Sequence, residues 1–447
     1  MPIKLWDRGQ LEGIKRMKGE SCNAARAIAW AIFFGLLLLG RANADEPFYL
    51  QGGETIVFFG DSITQNGQYV NYVEAFLLTR FPDKQFRLIN HGINSETVSG
   101  TSEPDHEPRR PDAHPRFARD VAAWNPDVVV ACFGMNDGNY HPYSPERFAK
   151  YQAGVRRLID RVRDEAGAMK LTILTPPPYD AYRRTVIDPT AKHFGYKFAY
   201  IGYDETLDRY SRWLTTLRSP ELVVADDHAA IEAHVGKRRE ESVSFSVSPD
   251  AVHPDATGHW LMAQTLLLAW HAPAVAAEAT IDAERLQARS GEVRDLKRDG
   301  PSIQFIWRSP LPLPADPRWD PKSIELERVR RRLNRYRLAV AGLAPGRYKL
   351  VADGAAVGEA THDELTAGVD LNRFADFPTV ALARDVRKRL TARNGQIYAV
   401  WRKNVAAGGS GQPSEAETAA FERQTLELRA SCRPRDVTLR LAPLMAN

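Results

Sequence analysis

Cysteine is scarce: Cys22, Cys132 and Cys432 are the only three in 447 residues. Cys22 falls in the N-terminal leader described below, Cys132 lies in an apolar run and Cys432 stands near the chain end. A disulfide framework is therefore excluded, and the last two read as free thiols. Stability must come from a packed core, which a chain of this length can build. Long apolar runs are missing as well. The longest, Ala27–Leu39, has 13 residues, short of the ~20 that span a bilayer. Nor does one sign of charge dominate. The formal net charge is +4, but residues 1–44 hold seven Lys/Arg against three Asp/Glu, so the remainder is neutral and carries no electrostatic footprint for nucleic acid. Metal-ligand spacing is absent too. Among His106, His114, His141, His228, His234 and His259, no His-x-x-x-His pair accompanies an acid on one helix face, so neither a metal nor another cofactor is expected. No internal repeat is visible.

What is present starts with a leader. Lys4, Arg8, Lys15, Arg16, Lys18 and Arg26 precede the apolar run, and Ala42-Asn43-Ala44 follows it. That order of basic region, apolar region and small-residue site is the secretory signal pattern, with cleavage expected after Ala44. The long basic region leaves Met17 as an alternative start. The expectation is a periplasmic or extracellular protein with no stable membrane insertion after cleavage; an uncleaved anchor is the alternative. Nothing in the sequence bears on oligomeric state.

Between residues 45 and 280, five apolar runs alternate with helical patterns: Ile56–Phe59, Phe86–Asn90, Val128–Phe133, Leu171–Thr175 and Leu222–Ala225. Runs without alternation are strands buried on both faces, and the β-α succession predicts a mostly parallel sheet covered by helices. Helices are expected from the spacing of Tyr69, Tyr72, Val73, Phe76 and Leu77, from Ser144-Pro145 to about Arg163, from about Tyr196 to Leu217, and from about Asp255 to Trp270. In such sheets the site lies at the carboxyl ends of the strands.

Four strand-end elements carry polar chemistry. Gly60-Asp61-Ser62 follows the first run and places a serine at a helix start, beside free N–H groups; in isolation it is equally a turn with a capping serine. Asn90-His91-Gly92 follows the second, offering a backbone N–H or simply a turn. Gly134-Met135-Asn136-Asp137-Gly138 follows the third, with a carboxamide donor or an Asx turn. Asp250-Ala251-Val252-His253 opens the last helix, a spacing that can set a carboxylate against one imidazole nitrogen and leave the other for a serine. His259 competes for that role, but falls within the helix.

Together these elements resemble the four blocks of the SGNH hydrolases, also called GDSL-type esterases, over about residues 54–272. The first block continues Ile-Thr where Leu is usual. The resemblance implies a three-layer α/β/α, flavodoxin-like domain with a parallel sheet of about five strands. It also implies a serine esterase in which Ser62 is the nucleophile, His253 the general base and Asp250 its orienting acid. The N–H groups of Ser62 and Gly92 and the Asn136 side chain would hold the oxyanion. Its substrates would be acylated small molecules or polysaccharides. Tyr140, Tyr143 and Tyr179, near the ends of the third and fourth strands, are candidates for stacking on a sugar, with core packing as the alternative. The proline-rich stretch Glu103–Arg119 is either a loop over the site or a solvated connection.

Past Pro273 the alternation stops, and residues 281–447 read as a smaller β-rich region with helices. Residues 309–322 hold five prolines and suggest a linker or ordered loop. Tyr336–Val340 and Arg347–Val351 alternate with period two around Gly342–Gly346, predicting a hairpin. Ile303–Trp307 and Val437–Leu441 would complete a small sandwich, with helices at about 371–391 and 414–430 and a Gly-rich joint at 407–411. This region shows no catalytic constellation; a structural domain or a carbohydrate-binding module would fit. The expected activity is hydrolysis of small acyl esters, foremost acetyl, on carbohydrate. The rivals are a lipase or lysophospholipase and a non-catalytic carbohydrate-binding protein.

Overall fold

The central sheet is built from the five expected apolar runs. In the computed structural model, which describes residues 47–168, 170–184 and 190–444, they are β1 (Thr55–Gly60), β2 (Arg87–Gly92), β3 (Val128–Cys132), β4 (Lys170–Leu174) and β5 (Leu222–Ala225). The leader assigned to residues 1–44, with its alternative start at Met17, lies outside the described residues. All strand pairs are parallel, in the order β2-β1-β3-β4-β5. The central strands β1 and β3 are buried on both faces, which is why their sequences do not alternate.

Two helical layers cover the sheet. Ile56, Phe58, Val128 and Val130 point into one core with α2 (Gln68–Arg80) and α6 (Ala256–Ala269), while Val57, Phe59, Val129 and Ala131 face the other with α3 (Pro145–Asp164) and α4 (Tyr203–Thr215). A short helix α1 (Ser62–Asn66) precedes α2, and α5 (Asp227–Glu241) follows β5. The order reverses at β1, so the crevice for a site opens at the carboxyl ends of β1 and β3. Two boundaries differ from expectation. β2 extends to Gly92, which pairs with Gly60, so Gly92 ends the strand rather than following it. α4 starts at Tyr203, not near Tyr196, because Gly202 is its N-cap.

The remaining strands are β6 (Val275–Asp282), β7 (Gln287–Ser290), β8 (Val293–Asp299), β9 (Ser302–Ser309), β10 (Arg335–Ala341), β11 (Arg347–Ala352), β12 (Ala355–Thr361), β13 (Val369–Asp370) and β14 (Arg435–Pro443). They form sheets of order β13-β10-β6-β7 and β12-β11-β14-β9-β8, sharing a core that includes Ile281, Phe305, Leu338, Val340, Leu350 and Leu439. The hairpin expected from β10 and β11 does not form. β10 pairs with β6 and β13, and β11 with β12 and β14, so Gly342–Gly346 carries the chain from one sheet to the other. Alternation marks the buried face of a strand; it does not name the neighbouring strand.

Of residues 309–322, the stretch 310–320 is an ordered loop between β9 and a short helix, Pro321–Leu326. Leu311, Leu313 and Trp319 are buried, and the Trp319 ring lies 4.4 Å from Trp260 and 5.2 Å from Tyr72. The helix expected at 371–391 is instead α7 (Pro378–Ala406), since Pro378 occupies its first turn where the missing N–H costs nothing. α8 (Glu415–Cys432) opens with a capping box between Ser414 and Glu417. α7 lies against α2, where Arg393 pairs with Glu74 and Asn394 Nδ2 donates to Asn71 Oδ1 at 2.7 Å. Cys132 and Cys432 are free and buried.

Candidate active site

Ser62 is presented by the break between β1 and α1. Asp61 caps that helix, its Oδ1 accepting from the Ile63 N–H at 2.9 Å, and leaves Ser62 as the first helical residue. Glycine is required just before. A Cβ on Gly60 would lie 2.2 Å from Thr64 Oγ1 and 2.6 Å from the Cys132 carbonyl, so any side chain would force α1 off the sheet. Asp61 is fully enclosed, and burial pushes its carboxyl up to about 7, against the Ile63 N–H bond and the nearby His253.

The turn before α6 brings the other two members to Ser62. Ser62 Oγ and His253 Nε2 are 2.9 Å apart, and His253 Nδ1 donates to Asp250 Oδ2 at 2.7 Å. The loop makes this geometry by itself: Asp250 Oδ1 accepts from the N–H groups of Val252 at 3.1 Å and His253 at 2.7 Å, while Ala251 takes a left-handed φ of 75°. Burial works against an imidazolium, but the Asp250 hydrogen bond and charge, with Asp61 behind them, hold the His253 pKa above its ordinary value. Burial also opposes the Asp250 carboxylate; the bonds from His253 and Val252 win and its pKa is lowered. His259 has a different environment. It is fully buried, stacks on Tyr69 and has no hydrogen-bond partner at either nitrogen among the described residues, and burial drives its pKa down to about 3.

Asn136 sits in the turn that follows β3, buried, with its carboxamide orientation set by its neighbours. Its Oδ1 accepts from Arg110 Nη1 at 2.9 Å and from the Tyr140 hydroxyl at 3.1 Å. Both amide hydrogens therefore face the other way, towards the Glu96 carbonyl at 3.1 Å and Asp61 Oδ2 at 3.4 Å. Arg110 comes from the 103–119 loop, where it forms a buried two-pronged pair with Glu103. That stretch therefore reaches the site.

Gly92 departs from expectation. Its N–H is not free: it donates to Asn90 Oδ1 at 2.9 Å. The residue is glycine for another reason, since a Cβ would lie 2.1 Å from the Gln65 nitrogen and α1 packs directly on it. Three residues later, Ser95 holds a left-handed φ of 61°, its N–H meets no described residue, and the next carbonyl, that of Glu96, holds Asn136. Glu96 itself is anchored by a buried pair with Arg116.

The three tyrosines do not form an open platform. Tyr140 and Tyr179 are buried at 1% and 4% exposure, and Tyr140 is committed to Asn136. Tyr143 is half-buried against Phe148 and lies under Arg209. Tyr196 was not anticipated; its hydroxyl donates to Asp250 Oδ2 at 3.2 Å. Arg110 was also missed. Neither has a sequence signature, because each reaches its partner across a loop. Among the described residues, no group of three or more His, Cys, Asp or Glu could hold a metal ion, and no helix is long and apolar enough to cross a membrane.

Residues 58–261 match the family model described as the GDSL-like Lipase/Acylhydrolase family. An acetylxylan esterase of Geobacillus stearothermophilus is 26% identical over 237 residues, 48% of this chain and 93% of that protein. A solved structure described as a gut microbial diltiazem-metabolizing enzyme aligns at a TM-score of 0.73 and 20% identity, over 88% of this chain and 98% of that one, so the shared fold includes the C-terminal sheets. Residues 58–261 therefore carry a GDSL-like lipase/acylhydrolase domain, and the chain is a carboxylic ester hydrolase.

Proposed function

We propose that this is an exported serine esterase that removes small acyl groups, foremost acetyl, from carbohydrate. The observation that carries the proposal is the hydrogen-bonded chain Ser62–His253–Asp250, at 2.9 and 2.7 Å. His253 Nε2 takes the hydroxyl proton as Ser62 Oγ attacks the acyl carbonyl, and Asp250 holds Nδ1–H and stabilises the imidazolium. Collapse of the tetrahedral intermediate expels the sugar hydroxyl, which receives that proton from His253. Water, deprotonated by His253, then attacks the acyl-serine and releases acetate and free Ser62. The developing oxyanion is held by the Ser62 N–H and by the Asn136 amide hydrogen whose contact with Asp61 Oδ2 is long, at 3.4 Å, and is exchanged for the oxyanion, with the Ser95 N–H in the place first assigned to Gly92. Carbohydrate as the alcohol side is supported by the acetylxylan esterase relative, and export by the leader pattern in residues 1–44.

The test is acetate release from 4-nitrophenyl acetate and from a panel of acetylated polysaccharides, comparing the protein with Ser62→Ala. Turnover that disappears in the variant supports the serine mechanism, and preference within the panel names the sugar. Preference for long-chain esters or phospholipids would move the protein to the lipases. Equal inertness of both forms on every ester would overturn catalysis.

A further inference from the structure

Beside α1, between α2, the edge strand β2 and the C-terminal helix α7, lies a cavity of about 200 Å³. One turn after Ser62, Gln65 forms part of its wall; Asn71 of α2 and Tyr398 of α7 form others. No charged side chain lines it. Five amide side chains line it; the NH₂ groups of Asn90 and Asn394 are committed to protein acceptors, whereas Gln65 and Asn71 have only their oxygens engaged. Gln65 Oε1 accepts from the Asn94 N–H at 2.8 Å, and Asn71 Oδ1 accepts from Asn394 Nδ2 at 2.7 Å. Their NH₂ groups have no partner among the described residues and remain as donors. The Tyr398 hydroxyl donates to the Gly92 carbonyl at 2.8 Å, so its oxygen remains as an acceptor. Val70, Leu88 and Ile397 complete the wall with apolar surface.

Neutral donors and an acceptor beside apolar patches match one chemical class, a sugar ring with hydroxyls at its rim and C–H groups on its faces. An anion would find no charge to pair with, and an acyl chain would leave the amide donors unsatisfied. We infer that this cavity is a subsite for a neutral sugar residue of the substrate, which α7 completes by closing the open edge of the sheet. The inference rests on the esterase reading above and deepens it. It also assigns the C-terminal part of the chain a share in substrate binding. The same groups border the active-site loop: Gln65 holds Asn94, and Tyr398 holds Gly92. A sugar seated there lies against the segment that leads to Ser95.

Gly395 gives a clean test. It lines the cavity on α7, and a Cβ built there meets nothing within 4 Å. Replacing a helical glycine also favours the helix, so Gly395→Trp blocks the space without threatening the fold, and Gly395→Ala is the control. The first readout is the ratio of kcat/KM on acetylated xylotetraose to kcat/KM on 4-nitrophenyl acetate. The expected result is a fall of tenfold or more in Gly395→Trp, through KM, with Gly395→Ala near wild type. An unaltered ratio in Gly395→Trp overturns the subsite while leaving the esterase standing. The second readout is calorimetric binding of plain xylotetraose, cellotetraose and tetragalacturonate to Ser62→Ala, with and without Gly395→Trp. Binding of a neutral tetraose that the tryptophan abolishes supports the subsite even if no ester is turned over. Preference for tetragalacturonate, or no binding at millimolar sugar, overturns it.

Discussion

Arg110 Nη1 donates to Asn136 Oδ1 at 2.9 Å, and this bond, with that from Tyr140, sets which way the carboxamide faces. Without it the amide is free to turn over and present its oxygen to a developing negative charge. Arg110→Met should therefore lower kcat by roughly tenfold or more, up to the ~10²–10³ that loss of an oxyanion donor costs, with little change in KM. It would also strand Glu103 as an unpaired buried charge, at a cost of about 3–5 kcal/mol. Arg110→Met with Glu103→Leu separates the two effects: thermal melts should show stability recovered, and kinetics should show kcat still low. Full recovery of kcat in the double variant would contradict a role through Asn136.

The pH profile follows from His253. The base acts only when neutral, and its pKa is raised, so kcat/KM should be low in acid and rise with pH through a midpoint above the ordinary histidine value. Asp250→Asn removes the largest raising influence while burial remains. The midpoint should then move to lower pH, and kcat should fall by about 10⁴-fold, the cost of losing the orienting acid in a Ser-His-Asp site. Stopped assays from pH 5 to 9 on both proteins would show it.

Gly92→Ala tests packing rather than donation. A methyl group there meets the α1 backbone at Gln65 and Thr64, so the helix that begins with Ser62 must shift. Overpacking of this kind costs about 1–3 kcal/mol, and the displaced nucleophile should lower kcat as well. Urea unfolding beside ester kinetics would register both. A variant as stable and active as wild type would refute the close approach.

Trp401 is the anchor of α7. Its ring stacks on His91 at 4.2 Å and its Nε1–H donates to Asp120 Oδ1 at 3.2 Å, and it is 2% exposed. Trp401→Ala should destabilise the protein by about 3–5 kcal/mol. Calorimetry should find one transition at lower temperature, because α7 and the parallel sheet share this buried contact.

The sequence by itself determined whatever depends on local pattern. Unbroken apolar runs forecast β1 and β3, because a strand covered on both faces has no polar side. Gly-Asp-Ser at a strand end forecast a serine at a helix start, and Asp250-x-x-His253 forecast a self-contained loop, since both partners and the N–H groups that orient them lie within four residues. Only the tertiary structure decided the rest. Alternation in β10 and β11 could not reveal that they belong to different sheets, because pairing is chosen by shape between distant segments. Gly92 gave no sign that its N–H would be taken by Asn90 two residues earlier, since that depends on how far β2 extends. Arg110, Tyr196 and Tyr398 reach Asn136, Asp250 and Gly92 across 26, 54 and 306 residues. Such contacts leave no periodicity to read, because they form when separate elements pack, after the local rules have been satisfied.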